Sequence, residues 1–573
     1  MHRCLRIPEL AQQIVDSLVP TQDERVKDYV LLNDQPVMSA LARLARTSKT
    51  FQDYALSKLW ETQFGIQNLV LCMPDDLFYD LTSLTSVAGT FIPYRFIVSG
   101  PVSPDSTQSQ SSLTSTQLQH FKRALEPRDW ARFDYYAQFI KYLGCPTLDS
   151  APLLVGMSSD VYSALARYHR HPRPYLPRLR SLTFRAMAQP SELSDICMAF
   201  LGPSVTSFTV ASGPTDSASS LTALTQAPLL APSLEQLDID FRWSPDPSRL
   251  LVGALKTLRK LRVLRLTLPT EPLGEIWAAV ADLPSLTSLY VGRDELGAEV
   301  DSSPSDPAVE RLNGRIQFAQ LIDLSLLNFR MSNSIDLLDR LDLPNLTDLT
   351  LSPFRDDLYP CERLFDTIAK RCPPSLSKLR IEPPSRQAHA PRVEASARSF
   401  RALQAFHDLR VLRLSSVRDL TDELLFEIAD AWPALEELTL LPARSSSPEM
   451  SATLLGLTYV AETCRNLHTL ALNFRPFFGT SAQSSWPHGA PPRGTRPNTR
   501  VKTLDVHTAW PIYGDGVQVV AAVLAESFAS LETIRELGVE AEETWREVQD
   551  LLPALRAERS GVRCGLDTLE RRG

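Results

Sequence analysis

The chain has 573 residues, 43% hydrophobic and 22% charged, a balance that fits a globular protein and rules out disorder or a membrane bundle for the bulk of it. Lys+Arg 59 against Asp+Glu 67 leaves a net charge of −8, which disfavours the basic stripe a duplex nucleic-acid binder needs. Pro 43 against Gly 22 inverts the usual ratio, so proline punctuation is expected rather than glycine-rich phosphate loops.

In chain order, Met1 to Leu18 lacks a continuous apolar run and a small-residue cleavage site, so no secretion leader is expected. Leu5-Arg6-Ile7-Pro8-Glu9-Leu10 instead opens a helix with Pro8 in its first turn, and Leu10, Ile14 and Leu18 lie four apart on one face. A second helix is predicted from Pro36 to Thr47, with Val37, Met38, Leu41, Leu44 and Ala45 apolar. A third, around Phe51 to Trp60, carries Phe51, Ala55, Leu59 and Trp60. Three short helices hold little core of their own, and an exposed apolar face on so small a unit suits a partner helix. Beyond them the polar stretch Pro101 to Gln117 reads as a disordered insert.

From Leu179 to Val506 one phrase, apolar-x-x-apolar-x-apolar, occurs twelve times. The copies start at Leu179, Val205, Leu234, Leu261, Leu286, Leu321, Leu346, Leu376, Leu409, Leu435, Leu467 and Val501, 25 to 35 residues apart. Each reads as a short strand whose fourth and sixth residues share one face of the pleat. Helical patterns lie between the copies, as in Leu424, Leu425, Ile428, Ala429 and Trp432 behind an N-cap at Thr421. Proline stands two residues ahead of the phrase at Pro177, Pro203, Pro232, Pro284, Pro344, Pro374 and Pro433, where it stops the helix. Strand-plus-helix units this small bury their apolar faces only by stacking into a solenoid of parallel strands. Two more polar inserts, Pro383 to Pro391 and Ser484 to Thr499, are expected to loop out of it.

Alternation along each strand turns the third and fifth residues of the phrase to solvent. The predicted binding face therefore includes Asp238, Arg265, Tyr290, Asp323, Asp348, Arg380, Arg413, Glu437 and Asp505. Its mixed signs suit a protein partner rather than nucleic acid. No catalytic motif accompanies it: no glycine fingerprint follows a strand, and no Walker sequence or GxSxG elbow occurs. The eight cysteines form no CxxC pair, and His169 and His171 sit among prolines without an acidic partner. No catalytic residue, metal or cofactor is expected, and the cysteines read as reduced core thiols.

The twelve phrases resemble leucine-rich repeats of the long helical variety. They depart from that family at the ninth position, where its laddering Asn or Cys is replaced, for example by Arg242, Pro269, Phe329, Phe354, Val417 and Ala443. Ile7-Pro8-Glu9-Leu10, with the stretch from Ala42 to Trp60, resembles an F-box, with Ser48 where that family often has Cys and a longer insertion from Pro20 to Pro36. Together with Asp129 to Leu143 and Trp545 to Pro553, the arrangement is similar to the F-box and leucine-rich-repeat proteins numerous in basidiomycete fungi. The resemblance implies an α/β architecture: a leucine-rich-repeat solenoid of about twelve irregular repeats, with parallel strands on its concave wall and helices outside. Residues 1–62 would form the F-box-like helical unit and 63–175 a helical connector with an insert near 101–118. Residues 176–540 would form the solenoid, with an insert near 475–499, and 541–573 a capping helix and tail.

The implied function is a non-catalytic substrate receptor of a cullin-RING (SCF-type) ubiquitin ligase in the cytoplasm or nucleus. Leu5, Ile7, Pro8, Leu10, Ile14, Leu41, Leu44 and Trp60 would contact the Skp-family adaptor, and the repeats would hold a protein substrate. Neither nucleic acid nor membrane belongs to this reading. An alternative stays open: a repeat scaffold or inhibitor without a ligase link, whose first helices merely cap the solenoid. The receptor predicts that the Ile7-Pro8-Leu10 helix and the Leu41/Leu44 face are exposed, whereas the scaffold predicts that they pack against the first repeats.

Overall fold

Leucines at the first, fourth and sixth places of each phrase, and a proline two residues ahead of it, set the local structure. The computed structural model describes residues 7–18, 35–63, 65–78, 121–144, 164–165, 174–185, 198–211, 218–240, 248–268, 274–293, 315–353, 361–382, 397–417, 420–442, 452–476, 497–506, 512, 516–536 and 542–570. The chain divides into two units, Met1–Pro269 and Thr270–Gly573, each a run of leucine-rich-repeat solenoid.

The first unit opens with three helices, α1 (Pro8–Ser17), α2 (Gln35–Thr47) and α3 (Lys49–Trp60), closed around Ala11, Val15, Leu41 and Phe51. Ser48 caps α3 by accepting the Thr50 N–H at 3.2 Å. Lys58 of α3 ties back to Asp16 of α1 at 3.0 Å. The end of α3 runs directly into a parallel sheet: β1 (Thr62–Gln63), β2 (Tyr142–Leu143), β3 (Ser181–Arg185), β4 (Ser207–Ala211), β5 (Gln236–Asp240) and β6 (Val263–Leu268), paired in that order. The Glu61 carbonyl accepts the N–H groups of Lys141 and Tyr142 at 2.9 and 3.0 Å. The same two-donor bond recurs at Lys141, Arg180, Thr206 and Glu235, the second place of successive phrases.

The sheet therefore starts well before Leu179. Ile140-Lys141-Tyr142-Leu143-Gly144-Cys145 is itself a copy of the phrase, within the stretch expected to be a helical connector. The insert near 101–118 lies outside the described residues, but its flanks meet. Lys122 donates its N–H to the Leu77 carbonyl at 2.9 Å, and Arg123 clamps Asp76 and the buried Asp129. Those hydrogen bonds from Arg123 hold the Asp129 carboxyl below the usual range.

The second unit continues the pattern with β7 (Ser288–Arg293), β8 (Ile316–Gln317), β9 (Asp323–Phe329), β10 (Leu341–Asp342), β11 (Asp348–Pro353), β12 (Lys378–Ile381), β13 (Val411–Val417), β14 (Glu437–Pro442), β15 (Thr469–Leu472), β16 (Thr503–Val506) and β17 (Thr533–Glu536). The pair β8–β10 stands apart, and the other nine form one parallel series. Third-place residues align across it: Ser288, Asp323, Asp348, Lys378, Val411, Glu437, Thr469, Thr503 and Thr533. All twelve phrases are strands, and their fourth- and sixth-place Leu, Ile and Val are buried wherever the side chain is described.

The corner between helix and strand is a turn rather than a bare stop. The first N–H of the phrase donates three residues back, Val205 to Gly202, Leu234 to Ala231 and Leu435 to Trp432, at 3.0 to 3.1 Å. Pro203, Pro232 and Pro433 thus fill the second place of a β-turn, which their fixed φ suits. The residue at the head of this turn supplies the ladder that the ninth position lacks. Trp432 donates from Nε1 to the Phe406 carbonyl at 2.9 Å, Cys464 from Sγ to the Trp432 carbonyl at 3.6 Å, and Asn498 from Nδ2 to the Cys464 carbonyl at 3.1 Å. Burial pushes the Cys464 and Cys372 thiols up to about 12, so both behave as small apolar groups.

Neighbouring repeats are also stitched at their helix starts. Asp422 opens the helix Asp422–Ala431, and its carboxylate accepts the Thr453 N–H and hydroxyl, both at 2.7 Å, and the Gly456 N–H at 3.0 Å, capping the next helix, Leu454–Thr463. A Cβ on Gly456 would lie 2.5 Å from Asp422 Oδ1 and 2.6 Å from Leu425 Cδ1. Asp422→Ala is expected to destabilise the protein by about 2 kcal/mol, and Gly456→Ala by about 1–3 kcal/mol. Both values are to be read from the urea unfolding midpoint at constant slope.

Candidate functional site

Two surfaces carry the predicted contacts. The first is α1, which is apolar on two sides. Ala11 and Val15 point into the three-helix core, while Ile7, Leu10, Ile14 and Leu18 remain 44%, 38%, 38% and 39% exposed. Pro8 is exposed beside them, and Leu5 lies outside the described residues. Leu41 corrects the expectation of an exposed Leu41/Leu44 face. It is buried at the centre of the helical core, and Leu44 packs half-buried against the same cluster. A unit of three short helices has few large aliphatic residues with which to close itself, so α2 must turn Leu41 inward. Trp60 is half-buried and stacks on Tyr136 with centroids 4.6 Å apart, which commits it to the first unit's own packing.

The second surface is the strand face opposite the leucines. In the first unit it begins hydroxyl-rich, with Ser181, Ser207, Thr209 and a buried Thr183, and becomes charged at Asp238 and Arg265, which are register partners on β5 and β6.

In the second unit the charges are largely matched within the chain. Arg380 reaches back across one strand to Asp348, with Nη1 at 2.8 and 3.0 Å from the two carboxylate oxygens, and Lys378 Nζ is 3.7 Å from the same group. Arg413 reaches forward to Glu437 and back to Glu382, the latter at 3.3 Å. Arg380 and Arg413 are register neighbours, so two guanidiniums stand side by side with carboxylates on either flank. Asp323 accepts the Ser288 hydroxyl at 2.9 Å, and burial pushes its carboxyl above the usual range, with Asp348 adding to the effect. Tyr290 precedes this array on β7. Asp505 differs: it sits between Ala471 and Arg535 in register, and its buried Oδ1 has no hydrogen-bond partner. Arg535 was missed in the sequence because its phrase, Leu531 to Glu536, ends in a charged residue.

His169, His171, the insert from Pro383 to Pro391 and residues Ser484 to Arg496 of the later insert lie outside the described residues. No described helix is long and apolar enough to cross a membrane.

No family model matches the chain, and no curated protein does. Among solved structures, the chain is similar to an internalin from Listeria monocytogenes (15% identity, 60% of this chain and 76% of that one, TM-score 0.31). It is similar to the leucine-rich-repeat protein LegL7 from Legionella pneumophila (15%, 65% and 91%, TM-score 0.29). A third similarity is to a chain of the Rad7 and Elc1 complex in yeast (14%, 63% and 76%, TM-score 0.31). The repeat assignment rests on the phrases and their register rather than on these likenesses.

Asp323 yields a pH dependence of definite sign. A carboxyl whose pKa is raised by folding binds its proton more tightly in the folded state, so stability falls as pH rises through that raised value. Asp323→Asn keeps an acceptor for Ser288 and removes the titration. The variant is expected to gain in thermal midpoint over the natural protein as pH rises from about 4 to about 7. Parallel unfolding curves at the two pH values check this.

Proposed function

We propose that this chain is a non-catalytic substrate receptor of a cullin-RING (SCF-type) ubiquitin ligase. Its amino-terminal helices dock a Skp-family adaptor, and its strand faces hold a protein substrate in the cytoplasm or nucleus. The observation that carries the reading is the row Ile7, Leu10, Ile14 and Leu18. These side chains remain outside although Ala11 and Val15 of the same helix already satisfy the core. An apolar helical row left about two-fifths exposed suits insertion against a partner helix. It coincides with the stretch that resembles the opening of an F-box. Ile7, Pro8, Leu10 and Ile14 are the proposed adaptor contacts. The mixed-sign strand residues, among them Tyr290, Arg380, Arg413 and Asp505, are the proposed substrate contacts.

A scaffold without a ligase link draws support from α3, which runs straight into β1 with Trp60 stacked on Tyr136. Those contacts support reading the helical unit as a cap. The two readings part at α1, whose outer row the cap leaves unused.

The test is capture of a purified recombinant Skp-family adaptor by the full chain. Leu10→Asp and Ile14→Asp are each expected to weaken capture about tenfold or more while leaving circular dichroism unchanged. Leu41→Asp is expected to unfold the helical unit instead, because it places a charge in the core. Absence of capture by the natural chain would leave the scaffold reading standing, and capture undiminished in both surface variants would overturn the docking on α1.

A further inference from the structure

Asp53 and Trp60, seven residues apart on α3, share the side of that helix turned away from Phe51 and Ala55, which face the three-helix core. Trp60 stacks on Tyr136 of the helix Trp130–Ala137, with centroids 4.6 Å apart and planes 23° from parallel. The row then turns: Tyr135 meets Tyr136 at 5.1 Å and 79°, and Phe139 at 5.7 Å and 82°. Four rings are thus in unbroken contact, although Phe133, Ala137 and Ile140 of the same stretch already fill the core. Tyr135 is 39% exposed, and Trp60, Tyr136 and Phe139 are half-buried. Partial burial raises the Tyr135 phenol above its ordinary range, and the charge of Asp53 adds to the effect, so the carboxylate lies within electrostatic reach of the row. Among the described residues Asp53 has no ion-pair partner, and no lysine or arginine stacks on the four rings.

An aromatic face is the negative end of the ring quadrupole, so rings beside an unpaired carboxylate attract a cation. A guanidinium suits this pairing better than an ammonium. It is flat and weakly hydrated, so it can stack on a ring while the N–H groups of its edge donate to a carboxylate. We propose that Trp60, Tyr135, Tyr136, Phe139 and Asp53 form a docking surface for an arginine side chain of a protein partner. The guanidinium lies against Tyr135, the most open ring, and donates to Asp53. Tyr136 and Phe139, each near a right angle to Tyr135, fix its plane, so little side-chain freedom is left to lose on binding. The surface uses no side chain of α1, so its failure would leave adaptor docking untouched, and the failure of adaptor docking would leave this surface standing.

The test is fluorescence anisotropy of a labelled Gly/Ser peptide holding two arginines, titrated with the purified full chain. Salt at about 0.15 M screens the long-range attraction of the chain's net charge of −8. The peptide is expected to bind, and its citrulline counterpart, which keeps the shape but not the charge, to bind about tenfold more weakly or less. Tyr135→Leu, which keeps apolar bulk without a ring, and Asp53→Asn are each expected to weaken binding about threefold or more, whereas Tyr135→Phe retains it. Asp550→Asn removes an equal charge from an exposed position in the other unit and is expected to leave binding unchanged. Asp53 and Tyr135 are both exposed, so the variants should keep the thermal midpoint of the natural protein. No binding, equal binding of the citrulline peptide, binding undiminished by Tyr135→Leu or Asp53→Asn, loss of binding in Tyr135→Phe, or an equal weakening by Asp550→Asn would each overturn the assignment.

Discussion

Register is the constraint from which the remaining features follow. In each unit the second-place carbonyl of a phrase accepts two N–H groups from the next copy, which locks third place against third place along the series. Because side chains alternate with a period of two, a slip of one residue would turn every fourth- and sixth-place leucine to solvent and bring the charged residues in. At about 1.5–3 kcal/mol for each buried Leu or Ile, that slip is forbidden many times over. The proline turns and the Trp432–Cys464–Asn498 ladder then need only fix where each strand begins.

The same constraint explains what was legible in the sequence. A strand announces itself when both inward places are apolar, and all twelve such phrases between Leu179 and Val506 are strands. The edges of the series were harder to see. Trp60-Glu61-Thr62-Gln63 places Gln63 where a leucine stands elsewhere, with Asn68 donating to its side chain at 2.9 Å. In the last strand Glu536 takes the sixth place. End strands have a neighbour on one side only, so their apolar demand is weaker. Ile140 to Cys145 satisfied the pattern but was hidden by the aromatic helical stretch in front of it. The place of Leu41 is not legible because periodicity identifies an apolar face but not which of two faces turns inward. That choice depends on Ala11, Val15 and Phe51 from other helices.

Ion pairing was not legible at all, since it depends on which side chains lean across a strand. It changes how the second unit's strand face can bind. Asp348 with Arg380, and Arg413 with Glu437 and Glu382, are already matched, so a partner that covers them gains little beyond exchanging one set of polar contacts for another. These charges therefore set orientation and encounter rate more than affinity. The larger differential gains lie where a group is unsatisfied before binding: the buried oxygen of Asp505 beside the exposed Arg535 on the strand face, and the outer row of α1 in the first unit. Under the proposed function the first would select for a hydrogen-bond donor and the second for an apolar helix. Two such different chemistries, one in each unit, are what the proposed function, with its two different partners, would require.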